Sequence, residues 1–215
     1  MTASRDREDL AGFFLRMRSR ESVPVKLLEA VEAVPRRLFL PGVEGDLYAD
    51  QSFPLPCGET THSAGLALRV VNALKVQPDS RILEIGTGCG YTTALLAKLG
   101  ARVTTLERYR TLHKAASQRL LDLGLTNVTA ILEDGREGYA EGGPYDRVLV
   151  HGAFEELPRA FLEQMASPSI LVCAIGDPAG RQMLTRNHKA GSRFETESLF
   201  LVRTQPLKEG VAQAL

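Results

Sequence analysis

Between Arg81 and Ile175 the sequence alternates short, β-branched apolar runs with stretches of helical periodicity, and no other feature constrains the fold as tightly. Arg81 to Ile85 is a first run ending in a Gly-rich turn, and Tyr91 to Leu99 has helical spacing closed by Gly100. Arg102 to Leu106 and Val128 to Leu132 read as the next two strands, with a helix from Tyr109 to Leu123 between them that Gly124 closes. Arg147 to Val150 is a fourth strand, Pro158 to Met165 a helix and Ile170 to Ile175 a fifth strand. Such alternation needs crossover connections, which implies an α/β fold with a doubly wound, mostly parallel sheet. Phe194 to Phe200 and Val202 to Gln205 are expected as closing strands, with antiparallel pairing open to them. The basic run Arg181 to Lys189 has no interleaved aromatics and reads as solvated surface rather than a nucleic-acid site.

Upstream, Asp6 to Met17 and Val23 to Val34 read as amphipathic helices, the second stopped at or before Pro35. Phe39 to Glu59, with several prolines and glycines and little periodicity, is expected as an irregular surface segment of the kind that often carries binding residues. Ser63 to Leu74 returns to a helical pattern, and Pro78-Asp79 marks a turn. The length of 215 residues suits one domain, residues 1–215, in which 1–62 is a helical extension with a loop and 63–215 is the core.

Lys plus Arg and Asp plus Glu are both 26, so net charge supplies no long-range pull towards nucleic acid or anionic membrane. The polar start resembles no signal peptide, and no apolar run is long enough to cross a bilayer. Cys57, Cys89 and Cys173 are too scattered for a disulfide framework or a zinc site. A reduced, cytoplasmic protein without metal, membrane or nucleic-acid partner is expected.

In a doubly wound sheet, ligands bind beyond the carboxyl ends of the strands, where Gly86-Thr87-Gly88-Cys89-Gly90 lies. A phosphate-cradling loop would end in Gly-Lys-Ser/Thr, and this one ends in Gly-Tyr. A dinucleotide loop would read Gly-x-Gly-x-x-Gly, and here the third glycine comes one residue early. A ligand-free tight turn is a further reading. S-adenosylmethionine, an adenosine with no pyrophosphate, fits the spacing best. Glu107 closes the second strand, where a carboxylate can accept both ribose hydroxyls. Asp134-Gly135 follows the third strand, where a carboxylate can accept the adenine amino protons, although Asp-Gly is also a plain turn signal. Glu84 is a carboxylate at a core position, which must be hydrogen-bonded to loop amides or to ligand.

Several segments together resemble the protein-L-isoaspartate O-methyltransferases. Ala33-Val34-Pro35-Arg36-Arg37-Leu38-Phe39 is similar to the family's Ala-Val-Pro-Arg-Glu-x-Phe, and Tyr48 to Pro54 to its Tyr-x-Asp-x-Ala-Leu-Pro. Leu83 to Tyr91 resembles Leu-Glu-Ile-Gly-Thr-Gly-Ser-Gly-Tyr, differing at Cys89. Leu106-Glu107-Arg108 resembles the family's ribose-holding Ile-Glu-Arg, Leu157 to Gln164 its helix ending in Leu-Glu-Gln-Leu, and Val202 to Leu207 its Val-Arg-Phe-Val-Pro-Leu. The resemblance covers nearly the whole chain. It implies a Rossmann-like methyltransferase fold and transfer of a methyl group from S-adenosyl-L-methionine to the carboxylate of L-isoaspartyl residues in damaged proteins, leaving S-adenosyl-L-homocysteine. It also implies Glu84, Gly86, Thr87, Gly88, Gly90, Tyr91, Glu107, Arg108, Asp134 and Gly135 as cofactor-binding and Asp50, Thr60 and His62 as catalytic. The implied partner is an isoaspartyl protein or peptide, met by a monomer or homodimer.

The acceptor loop departs from the family's Gly-Gln-Thr-Ile-Ser-Gln-Pro-Tyr. Gly58 and Thr60 are kept, but Glu59, His62, Ala64 and Gly65 replace its glutamine, catalytic serine, proline and large residue. His151-Gly152 stands where Thr-Ala is usual, and Thr204 where phenylalanine is usual. An isoaspartyl carboxylate, with a pKa near 4, is ionised at neutral pH and needs no base. Glu59 at about 6 Å would repel it by roughly 3 kcal/mol at an effective dielectric of 20. Three expectations follow: Glu59 points away, or it pairs with protonated His62, or the acceptor is a neutral amine or hydroxyl with His62 as base. Another methyl acceptor, or cofactor binding without turnover, is the alternative to isoaspartyl chemistry.

Overall fold

A computed structural model describes residues 2–20, 22–177 and 180–212. Two helices, α1 (Thr2–Arg20) and α2 (Val25–Ala33), lead into a tight turn at Arg36–Phe39. After an irregular stretch comes α3 (Ala64–Leu74), whose N-terminus is capped because Ser63 Oγ accepts from Leu66 N–H at 3.2 Å. The alternating region then forms β1 (Arg81–Ile85), α4 (Tyr91–Leu99), β2 (Arg102–Glu107), α5 (Arg110–Asp122), β3 (Val128–Leu132), β4 (Tyr145–Phe154), α6 (Arg159–Gln164) and β5 (Met165–Ile175). The chain closes with β6 (Gln182–Ala190) and β7 (Arg193–Val202).

The strands lie in the order β3-β2-β1-β4-β5-β6-β7. Pairing is parallel from β3 through β5 and antiparallel for β6 and β7. Alternate residues of each strand feed opposite faces of the sheet. On one face Ile82, Val103, Leu149 and Val172 pack with the buried sides of α1 to α4, among them Phe13, Leu28, Leu68 and Leu95. On the other, Leu83, Ile85, Val148, Val150 and Leu171 pack with Phe161 of α6. Phe161 is fully buried, a burial worth about 1.5–3 kcal/mol.

Three expectations need correction. Arg181 to Lys189 is not solvated surface, since 182–190 forms β6, an interior strand of the sheet. Within that run, His188 pairs with Ile170 of β5. The strand drawn across Val202 to Gln205 ends at Val202, and β6 takes the place beside β5. Residues 39–59 are irregular but not purely surface, because Leu40, Leu47 and Phe53 bury one another in a small cluster of their own.

Candidate active site

The loop after β1 turns sharply through three left-handed glycines, Gly86 (φ 93°), Gly88 (φ 56°) and Gly90 (φ 90°), conformations that side chains oppose. Space is short as well. A Cβ on Gly86 would lie 3.2 Å from His151 Cβ, and one on Gly90 the same distance from Ala116 Cβ. Two clefts open on this loop, of about 720 and 1150 Å³, both continuous with solvent. The first runs over the ends of β1, β2 and β3 and is lined by Ile85, Leu106, Glu107, Leu112, Asp134 and Gly135. The second runs towards α3 and is lined by Arg36, Thr61, His62, Thr87, Tyr91 and Arg203. Glu59, Thr60, Gly86, Gly88 and His151 border both, so the clefts meet there.

Glu107 is buried at the end of β2, and its two oxygens accept from Gly88 N–H (2.9 Å) and Tyr109 N–H (3.0 Å). Burial raises its carboxyl above the ordinary range, opposed by the amides of Tyr109, Gly88 and Arg108 and reinforced by Glu59. Asp134 accepts from Arg136 N–H (3.0 Å) through one oxygen and from Gly210 N–H (2.7 Å) through the other. Gly135 must lack a side chain, because a Cβ would fall 2.6 Å from Ile85 Cγ2. Arg108 borders the first cleft, but its guanidinium is turned to the carbonyls of Glu209 (3.0 Å) and Gly210 (2.8 Å). With Ala153 N–H donating to Gln205 O (3.2 Å), these bonds draw residues 205–210 across the carboxyl ends of the strands.

Glu84 is placed differently from the expectation. Its carboxylate is wholly buried and touches neither loop amides nor a cleft; it accepts from Thr93 Oγ1 (2.5 Å) and Thr105 Oγ1 (2.8 Å) and bonds His151 Nε2 (2.9 Å). Thr87 hydroxyl continues the network to Thr105 (2.7 Å). Glu84 therefore acts from beneath the loop. Tyr91 borders the second cleft, not the first, packing edge-on to Phe39 and under the Arg36 guanidinium.

Thr60 and His62 come together at the second cleft, whereas Asp50 does not join them. Asp50 is exposed and accepts from Ser63 Oγ (2.9 Å), which places it at the cap of α3. His62 is held by its backbone, whose carbonyl accepts from buried Arg36 Nη2 (2.6 Å). Burial, then the neighbouring His151 and Arg36, push its pKa down to about 3. The ring is neutral near pH 7, so pairing with Glu59 as a cation fails and His62 is a weak base. Glu59 neither points away nor meets His62; it borders both clefts and its nearest cation is Lys208, at 3.9 Å. The Glu84–His151 contact was not legible beforehand, although the demand of Glu84 for buried partners pointed to one. Among the described residues no cluster suits a metal ion.

A family model described as protein-L-isoaspartate(D-aspartate) O-methyltransferase matches residues 15–212. A protein-L-isoaspartate O-methyltransferase of Azorhizobium caulinodans is 39% identical over 211 residues, covering 98% of this chain and 97% of that protein. The enzyme of that name from Rhizobium meliloti is 37% identical, over 94% of this chain and 99% of its own. Among solved structures, a putative protein-L-isoaspartate O-methyltransferase from Plasmodium falciparum, in complex with S-adenosyl-L-homocysteine, superposes with a TM-score of 0.78 at 21% identity, covering 95% and 98% of the two chains. Another protein-L-isoaspartate O-methyltransferase gives 0.83 at 21% identity, over 93% of this chain and 66% of that one. These two likenesses place the sheet and helices in the Rossmann-like methyltransferase fold.

Proposed function

The chain belongs to the protein-L-isoaspartate O-methyltransferase family, and from that premise we propose that it methylates the free carboxylate of L-isoaspartyl residues in damaged proteins. The match along residues 15–212 carries this reading. S-adenosyl-L-methionine supplies a methyl group on a sulfonium, and S-adenosyl-L-homocysteine is the product.

The residues of the first cleft fit that donor. Glu59, Glu107, Glu133 and Asp134 surround it with carboxylates, which suits a ligand carrying amino and sulfonium charges. Ile85, Leu106 and Leu112 offer apolar contact for a base. We assign Glu107 to the ribose hydroxyls. Its buried oxygens are raised in pKa with two amides already bound, so further donors would relieve the burial of its charge. Asp134 keeps lone pairs for an amino group beyond its bond to Gly210. Gly86 and Gly88 let the chain approach the donor closely, and Glu84, Thr87 and Thr93 hold the loop from below.

The second cleft is assigned to the acceptor, entering past Thr60 and His62. An ionised carboxylate attacks without losing a proton, so the protein's work is alignment, a source of up to about 7–11 kcal/mol in well-oriented systems. Lys208 beside Glu59 offsets part of the repulsion an acceptor carboxylate would meet. Among the described residues no helix is long and apolar enough to cross a membrane. We place the activity in the cytoplasm, in a single-domain monomer or homodimer acting on proteins rather than nucleic acid.

The test is incubation with radiolabelled S-adenosyl-L-methionine and an L-isoaspartyl peptide, with the matched aspartyl peptide as control. Base-labile label in the isoaspartyl peptide alone is expected. Equal label in both peptides, or none despite donor binding, refutes the assignment.

A further inference from the structure

We propose that His151, aligned by Glu84, is a proton acceptor that lets this cleft methylate a hydroxyl group as well as a carboxylate. The proposal rests on the donor assignment above but not on isoaspartyl specificity.

Position comes first. The β1–β4 ladder ends at the pair Ile85 and Val150, so His151 is the first β4 residue beyond the end of β1. The β4–β5 register slips between Leu149 and Ala153, a bulge that contains His151 and Gly152. Bulges of this kind re-aim side chains. The His151 ring is thereby brought to the border of both clefts, where a methyl donor in one and an acceptor in the other would face each other.

Orientation comes second. His151 Nε2 bonds Glu84 Oε1 at 2.9 Å, and the other Glu84 oxygen is fixed by the hydroxyls of Thr93 and Thr105. A carboxylate only accepts, so Nε2 carries a proton, and the ring's one proton-accepting lone pair is the one on Nδ1. Among the described residues Nδ1 has no hydrogen-bond partner, and the ring keeps 12% exposure. A base aligned by a buried carboxylate, with its second nitrogen directed at the reacting group, is the arrangement that activates weak oxygen nucleophiles. An ionised carboxylate gains nothing from it.

The neighbouring groups are compatible with this role. The His62 ring stands edge-on to His151 at 5.1 Å, and its pKa of about 3 keeps it from competing for the proton. Glu59 is the other charged group that borders both clefts, while Arg36 and Arg203 line the second alone and Arg36 is tied to the His62 carbonyl. In the reaction, the hydroxyl oxygen bonds the donated methyl carbon as the carbon–sulfur bond breaks and its electron pair stays on sulfur. The hydroxyl proton passes to His151 Nδ1, and the resulting imidazolium lies against the Glu84 carboxylate. The products are a methyl ether, S-adenosyl-L-homocysteine and a proton later released to solvent.

The probe is an L-isoaspartyl peptide in which the free carboxylate is reduced to a primary alcohol, compared with the parent peptide. A methyl ester is lost in mild base and a methyl ether survives it. Wild-type protein is expected to place base-stable label on the alcohol peptide. His151→Asn should lower the ether-to-ester rate ratio by at least tenfold, general bases contributing about 10²–10⁴-fold. Glu84→Gln should lower the same ratio and serves if the first variant does not fold, with circular dichroism and thermal unfolding as the folding control. Independently, ¹⁵N spectra of the donor-free protein, at a pH where the His151 ring holds one proton, should place that proton on Nε2. No ether from wild type, an unchanged ratio in a folded variant, or a ring protonated at Nδ1 overturns the proposal. Ether without any ester would sink the isoaspartyl reading and leave this one standing.

Discussion

Replacing Glu107 with glutamine changes one oxygen into an NH₂ group and little else in shape. In the folded protein both oxygens accept from backbone amides, Gly88 N–H at 2.9 Å and Tyr109 N–H at 3.0 Å. Glutamine can accept from one of them, so the other is left facing an N–H donor inside a buried site. Leaving one buried donor unpaired costs about 1–3 kcal/mol, and the loop carrying Gly88 loses its anchor. If Glu107 also holds the ribose, the loss appears as a donor affinity weakened roughly 5- to 150-fold. The pH dependence gives a second readout. Burial raises the Glu107 carboxyl above its unfolded value, so the folded state holds the proton more tightly and is disfavoured as pH rises through the raised value. Ribose hydroxyls donate to the ionised form, so wild-type affinity should climb with pH across that window while Glu107→Gln stays flat. Titration calorimetry with S-adenosyl-L-homocysteine at several pH values measures both. An affinity within twofold of wild type, in a variant whose circular dichroism is unchanged, would refute the role given to Glu107.

Three more outcomes follow from the same geometry. Gly135→Ala sets a Cβ 2.6 Å from Ile85 Cγ2, an overpacking of about 1–3 kcal/mol that should lower Tm by roughly 3–10 °C; adding Ile85→Ala should cost less than the sum of the two single changes. His62 has a folded pKa of about 3, below the unfolded value, so its contribution is present above pH 6.5 and is lost as pH falls from 6.5 towards 3. His62→Asn should remove that slope, worth at most about 2 kcal/mol at pH 5 because the ring is partly exposed, as read from urea midpoints at pH 5 and 7.5. Glu59→Gln should lower the KM for an isoaspartyl peptide by roughly 3- to 10-fold and Lys208→Gln should raise it, measured by steady-state methyl transfer.

The central α/β alternation was legible because each strand and helix there has its own periodicity and a glycine or proline at its boundary. β6 was hidden by its charges. Arg186 pairs with Glu197 across the ladder and Lys189 reaches the carbonyls of Leu162 and Met165, so basic side chains mark a paired strand rather than open surface. The residues proposed to hold the donor lay in one contiguous loop and two strand ends, and Glu107 and Asp134 line the first cleft. The contact between Glu84 and His151 depends on sheet register. Glu84 pairs with Leu149, and His151 is two residues further along the same strand. No spacing in the sequence announces a register between strands so far apart. Residues 205–210, crossing the strand ends, are fixed by backbone carbonyls and amides that carry no sequence signature. Gly152 does leave a trace there, since a Cβ on it would fall 2.7 Å from the Leu207 side chain and would have to displace it.

Two clefts meet at Gly86 and His151, and the proposed function puts the donor in one and the acceptor in the other. A crystal structure with S-adenosyl-L-homocysteine and an isoaspartyl peptide tests this directly. The ribose hydroxyls are expected on Glu107, the sulfur at the border formed by Gly86, Thr60 and His151, and the peptide carboxylate in the second cleft. A nucleoside bound away from Glu107, or a peptide carboxylate seated away from that border, would contradict it.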